Sequence, residues 1–270
     1  RKVPDGLGPP FLLRKICGMV EFYDNGCYNY RMTEELKLLR KASQKEMDFY
    51  YKILYPIQDR VLEKIQSKGF YLTGDTPLSR FYFHHRFSDD LDFFYDGFNF
   101  PKEDFNLSYR EILFNLEKIF DQIEVAIDGE FFKRIFVTAN NTVLKIEFVY
   151  ENYKTVGEKK KFKGGLIDSK ENICANKIGT VSDRRMTKDF LDLFFLLKEI
   201  QLEQAVKWSE LKRVPPDYEG LMIATGDLLK NPYAIEGEIL TIQPVDNKEF
   251  ISFTKKLIGE LLGYAKTRNL

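Results

Sequence analysis

The chain is poor in the residues that build thiolate metal sites and disulfide frameworks. Its 270 residues include three cysteines, Cys17, Cys27 and Cys174. The count is odd and the spacing fits no metal motif, so a reduced, cytoplasmic protein is expected rather than a disulfide scaffold. The two histidines, His84 and His85, are adjacent. They would diverge on a helix and cannot form the i,i+4 pair of a zinc site. Net charge is also lacking, since Lys+Arg and Asp+Glu both number 41. No global field therefore draws the chain to nucleic acid or membrane. No apolar run approaches the ~20 residues of a membrane span. The run Phe11–Val20 is broken by Arg14 and Lys15 and makes a poor signal peptide. Repeats and low-complexity tracts are absent, and no serine or cysteine has the setting of a nucleophile. Aromatic residues are plentiful at 15%, which argues against disorder. A soluble globular protein with a sizeable core is expected.

Residues 1–31 carry Pro4, Gly6, Gly8, Pro9 and Pro10 without clear periodicity. They read either as a poorly packed extension or as an arm that docks on the body or on a partner. From Gln44 to Lys68, Met47, Tyr51, Leu54, Ile57, Val61 and Ile65 recur at helical spacing, and Gly69 is a natural stop. Phe70–Leu72 reads as a short buried strand. Thr76 followed by Pro77 predicts a capped helix start, with the helix running through Leu78–Arg86. A strand at Asp90–Tyr95, a helix at Tyr109–Phe120, and strands at 124–128, 131–138 and 142–150 follow. Lys154–Lys163 reads as a basic loop, and Gly164-Gly165 as a turn. Helices are expected at 170–181, 187–202, 203–212, 220–230 and 247–266. The chain thus divides into an atypical extension (1–31), an α+β core with a helical lead-in (32–165) and a helical C-terminal half (166–270).

The segment Ser88-Asp89-Asp90-Leu91-Asp92-Phe93-Phe94 is the most chemically informative. Asp90 and Asp92 share one face of a strand, while Leu91 and Phe93 face the core. Paired carboxylates repel unless a cation lies between them, and a hard ion such as Mg²⁺ takes oxygen ligands together with substrate phosphates. Alone, alternating acids on a strand are common on solvated faces. Here a Gly74-Asp75-Thr76 turn precedes them, and a helix start there would present backbone N–H groups to an anion. Glu147 is the candidate third carboxylate, on the polar face of its strand beside Lys145. Lys177, Arg184 and Lys188, interleaved with Asp183, Asp189 and Asp192, read either as a phosphate grip or as a salt-bridged helix face. Lys159–Lys163 is a solvated loop or a touch point for RNA phosphates.

The string YLTGDTPLSRFYFHHRFSDDLDFF resembles the opening of the AbiEii/AbiGii-type nucleotidyltransferase toxins, in the DNA polymerase β-like superfamily. Their pattern "HR-x-S-x-D-x-D-F-F" is filled by His85-Arg86-Phe87-Ser88-Asp89-Asp90-Leu91-Asp92-Phe93-Phe94. NKIGTVSDRRMTKDFLDLFFL is similar to their downstream "K…R…(K/R)D-x-x-D-L". The resemblance implies an α+β fold: a nucleotidyltransferase-like mixed sheet with flanking helices, followed by a helical C-terminal half. It implies metal-dependent transfer of a nucleoside monophosphate from an NTP, with release of pyrophosphate. Asp90, Asp92 and Glu147 would hold two Mg²⁺ ions, and Lys177 would face the leaving group. Gly74, Thr76 and Ser88 would contact phosphates, with Arg86, Arg184, Asp189 and Asp192 also in the nucleotide site. The implied partners are an RNA acceptor such as the tRNA 3′-end and a cognate antitoxin, with no membrane. Asp75 departs from the family, which has glycine there. Its charge would repel phosphate unless a metal or Arg80 offsets it, or it would turn outward along the helix start. A protein or small-molecule hydroxyl acceptor, or an inactive NTP-binding module, are the competing readings.

Overall fold

The computed structural model describes residues 39–65, 69–162, 165–183, 186–218 and 239–267. All fall in one compact unit, Lys37–Leu270. The expected extension at 1–31, the helix at 220–230 and Arg184 lie outside the described residues.

The helical lead-in begins with a capping box, in which the Ser43 side chain accepts from the Glu46 backbone and Glu46 reaches back to the Ser43 N–H. It comprises α1 (Gln44–Phe49), a π-helical turn (Tyr50–Leu54) and α2 (Tyr55–Leu62). The helical run ends at Leu62, short of the predicted Lys68. Strand β2 is Phe70–Thr73 and β3 is Leu91–Asp96. Between them lie a three-residue helix α3 (Asp75–Pro77) and a second π turn (Leu78–Tyr82). The predicted helix to Arg86 therefore breaks early, and His84 takes a positive φ of 51°. Helix α4 (Lys102–Glu117) starts before the predicted Tyr109, with Glu103 and Asp104 complementing its N-terminal dipole.

Strands β4 (Gln122–Asp128), β5 (Phe132–Ala139) and β6 (Thr142–Glu151) follow. A short strand β7 (Lys160–Phe162) takes the place of the end of the expected loop, and another, β8 (Gly165–Ile167), begins at the second glycine of the expected turn. They are too short to show an alternation. The C-terminal half carries α5 (Lys170–Asp183), α6 (Thr187–Leu196), α7 (Leu202–Leu211) and α8 (Asn247–Thr267). The helix expected at 187–202 thus stops at Leu196. Strands β1 (Leu39–Lys41) and β9 (Ile239–Thr241) pair in parallel as a separate two-stranded sheet.

Among the described residues the main sheet has seven strands in the order β4-β5-β6-β3-β2-β8-β7. The β3–β6 and β2–β8 pairs are parallel and the other pairs antiparallel. One face is apolar. Leu72, Leu91, Phe93, Leu144, Ile146 and Phe148 pack there against Ile57 and Val61 of α2 and Ile112 and Leu116 of α4. Full burial of each such side chain stabilises by roughly 1.5–3 kcal/mol. A second apolar cluster joins α5, α6, α7 and α8, with Phe190, Leu193, Phe250 and Leu261 fully buried.

The opposite sheet face mixes charged residues with Phe94, Phe136 and Val149, and the parallel register of β3 and β6 sets acids side by side twice. Asp92 lies opposite Glu147, and Asp96 opposite Glu151. The second pair is compensated from within. Lys159 lies 2.9 Å from Asp96, while Lys212 lies 3.2 Å from Glu151 and the Tyr71 hydroxyl donates to it at 2.8 Å. No helix among the described residues is long and apolar enough to cross a membrane.

Candidate active site

The first acid pair comes from β3 and β6 and is flanked by β2 and β5. Thr73 of β2 sits opposite Asp92, Asp92 opposite Glu147 of β6, and Glu147 opposite Arg134 of β5. Because Leu91 and Phe93 are buried on one face, Asp92 projects from the other, beside Glu147. Asp90 ends the preceding loop. Lys145 Nζ lies 2.9 Å from Asp90 Oδ2 and 3.4 Å from Glu147 Oε1. Arg134 holds Glu147 Oε1 from Nε at 2.8 Å and from Nη2 at 2.6 Å. Burial works against the Lys145 charge, but the hydrogen bond to Asp90 and the surrounding carboxylates prevail and raise its pKa.

The Asp92 side chain stands apart, with no hydrogen bond or ion pair among the described residues. Burial first, then the charges of Asp75, Glu147 and Asp90, push its carboxyl up to about 7 against the pull of Lys145. Three acids thus face two bases, which leaves an acidic excess that a cation would relieve.

The turn entering the site passes against this carboxylate. Gly74 has φ +74°, and a Cβ there would lie 3.0 Å from Asp92 Oδ2. Glycine alone meets both demands. Thr76 does not cap the helix, since the N-cap is Gly74 and α3 has no side-chain cap. Its hydroxyl instead donates to the Asp90 carbonyl at 2.6 Å, and that single proton leaves Ser88 Oγ as the donor across their 2.8 Å contact. Gln58 Nε2 donates to the Ser88 carbonyl at 3.1 Å, and the Tyr50 hydroxyl donates to Asp89 at 2.7 Å. Thr76 and Ser88 are buried and fasten the acidic loop; as phosphate contacts they rest on the resemblance alone.

Asp75 turns inward rather than along the helix start. Its Oδ1 lies 2.5 Å from Lys177 Nζ and 3.2 Å from Arg86 Nη2, and its Oδ2 lies 2.7 Å from Lys188 Nζ. Despite its burial, these three cations hold its carboxyl well below the usual range. Arg80, the expected offset, instead pairs with Asp59 at 2.7 Å and lies over the Tyr55 ring.

Lys177 also meets Asp189 and Asp192, both at 2.6 Å. Arg86 reaches the two oxygens of Asp192 from Nε and Nη2, each at 2.8 Å. His85 Nε2 lies 2.8 Å from Asp192 Oδ1, and burial lowers the His85 pKa despite that partner. The imidazole is therefore neutral near pH 7. Among the described residues Asp75, Asp189 and Asp192 form the acidic group whose oxygens all lie within 4.8 Å of one another; Asp90, Asp92 and Glu147 do not form such a group. The position a metal would take amid Asp75, Asp189 and Asp192 holds the Lys177 ammonium, so that group is a salt-bridged cage.

The structure therefore gathers Asp90, Asp92 and Glu147 on one surface, with Gly74 against Asp92. Arg86, Lys177, Asp189 and Asp192 lie together in the neighbouring buried cage. Sequence reading missed Arg134 and the inward partners of Asp75. Arg134 was within reach, because alternation along β5 puts it on the same face as Glu147. Asp75 and Lys177 stand 102 residues apart, beyond any local spacing rule.

A mixed sheet carrying these acids beside a glycine turn defines a nucleotidyltransferase fold. The chain belongs to the nucleotidyl transferase AbiEii toxin family of type IV toxin–antitoxin systems, whose family model matches residues 59–214. It is 30% identical over 167 residues to the uncharacterized protein aq_aa25 of Aquifex aeolicus, spanning 56% of this chain and 72% of that protein. Among solved structures, JHP933 of Helicobacter pylori is similar, with TM-score 0.54 and 18% identity over 85% of this chain and 97% of that one. A second H. pylori protein, solved as a candidate nucleotidyltransferase, gives TM-score 0.53 and 19% identity over 84% and 98%. At these identities the structural likeness concerns the fold.

Proposed function

We propose that this toxin nucleotidyltransferase transfers the nucleoside monophosphate of an NTP to an RNA hydroxyl, the tRNA 3′-end being the favoured acceptor, with Mg²⁺ and release of pyrophosphate. The observation that carries the reading is Asp92, an unpartnered carboxylate among Asp90, Glu147 and Asp75, held where a cation is needed. The donor set is all oxygen, which suits Mg²⁺. Asp90, Asp92 and Glu147 are the residues that would hold it, as two ions by family analogy. Bound ions would polarise the phosphoryl oxygens and lower the pKa of the acceptor hydroxyl.

The chain's own groups prepare the surface. Arg134 fixes Glu147, Thr76 and Gln58 fix the loop that carries Asp90, and Gly74 leaves room beside Asp92. Lys145 is part-exposed and can swing aside from Asp90. Lys177 is enclosed by three carboxylates, so its part is to position α5 and α6 against the nucleotide turn. A cytoplasmic setting and a cognate antitoxin partner accord with the family.

Incubating the protein with each labelled NTP, Mg²⁺ and total tRNA tests the proposal. Transfer of label to RNA, lost in Asp90→Ala and Asp92→Ala, is expected. Label on a protein band or in a low-mass product would move the acceptor to that class. No transfer from any NTP would refute the reading.

A further inference from the structure

We propose that Asp75 is a built-in competitor of the substrate triphosphate: its carboxylate occupies the cations a phosphate would meet, chiefly Lys188, and so weakens nucleotide binding. The inference rests on the nucleotidyltransferase reading above.

Asp75 immediately follows Gly74, where a Cβ would meet Asp92, so it stands beside the acidic surface. Three cations converge on it, but they are not equivalent. Lys177 and Arg86 are buried and keep other acids, Lys177 both Asp189 and Asp192, and Arg86 the carboxylate of Asp192. The Lys188 side chain is 26% exposed, and Asp75 is its one ion-pair partner among the described residues. Lys188 is therefore the cation that solvent and a phosphate can reach, and Asp75 already neutralises it. Carboxylate and phosphate oxygens make the same charge-assisted bonds to ammonium, so an incoming phosphate must displace Asp75 or bind without Lys188. Asparagine at this position keeps the volume and removes the charge. It releases Lys188, while Lys177 and Arg86 remain paired.

The test titrates inorganic tripolyphosphate, without metal, into wild type, Asp75→Asn, Lys188→Met and the double variant, and compares KM and kcat for the NTP. Asp75→Asn is expected to bind tripolyphosphate at least about fivefold more tightly and to lower KM by a similar factor, with kcat changing less. Lys188→Met alone should change little, and in the double variant it should cancel the gain. Asp75→Gly serves as a second neutral variant should the asparagine fail to fold, and Asp75→Glu should retain wild-type affinity. Unchanged or weaker tripolyphosphate binding by the neutral variants, or a gain that survives Lys188→Met, would overturn the proposal. Wild type that transfers no nucleotide fails the reading of the site. An active wild type whose KM ignores the charge at Asp75 fails this inference alone.

Discussion

At the scale of single residues, the site is governed by how each carboxylate is compensated. Asp90 has Lys145 and Glu147 has Arg134, while Asp92 has neither. Its folded pKa of about 7 lies above the ordinary 3.8, so ionisation costs the folded state stability. That cost is absent below the unfolded value, grows as pH rises between the two, and is complete above the folded value. Metal-free Asp92→Asn should therefore exceed wild type in stability at pH 8 by about 1–2 kcal/mol, after discount for solvent screening. The gap should close near pH 4, and denaturant melts at the two pH values check this. Lys145 acts in the opposite sense, as an ammonium placed where a divalent ion would compete. Lys145→Met is expected to strengthen apparent Mg²⁺ binding, read as a larger rise in thermal midpoint at equal Mg²⁺.

At the scale of elements, the connection from β2 to β3 decides the site's shape. Its Gly74 combines positive φ with a position where an added Cβ would lie 3.0 Å from Asp92 Oδ2. Gly74→Ala should cost about 1–3 kcal/mol in backbone strain alone and displace the carboxylate. A lowered denaturation midpoint together with lost nucleotidyl transfer would register both effects. Sequence displays some elements well and others poorly, for physical reasons. Strands β5 and β6 alternate over many residues and pair with neighbours in the chain, so their faces are readable, and Glu147 with them. Strands β1, β7, β8 and β9 are three residues each, and all but β7, whose neighbour is β8, pair with distant segments. Thr76-Pro77 has the composition of a helix cap, yet tertiary contact with Asp90 and Ser88 claims the hydroxyl. The π turn at Leu78–Tyr82 ends a helix that propensity alone would extend.

At the scale of the whole molecule, the buried cage joins the sheet to the C-terminal helices. Asp75 and Arg86 come from the β2–β3 connection, Lys177 from α5, and Asp189 and Asp192 from α6. Lys177 meets three of the carboxylates, so removing it leaves uncompensated negative charge in a dry interior. Lys177→Met should therefore lose about 3–5 kcal/mol, seen as a lower urea midpoint. Buried pairs are weakly screened, so added salt should leave that loss nearly unchanged.

The two acid pairs along β3 and β6 give the fold an internal reference. Asp96 and Glu151 meet the same like-charge problem as Asp92 and Glu147, and the chain solves it with Lys159, Lys212 and Tyr71. One pair of strands thus carries both a closed circuit and an open terminal. A divalent ion has something to gain only at the open end, and this predicts where along the sheet a metal-dependent change in amide exchange will begin and where it will fade.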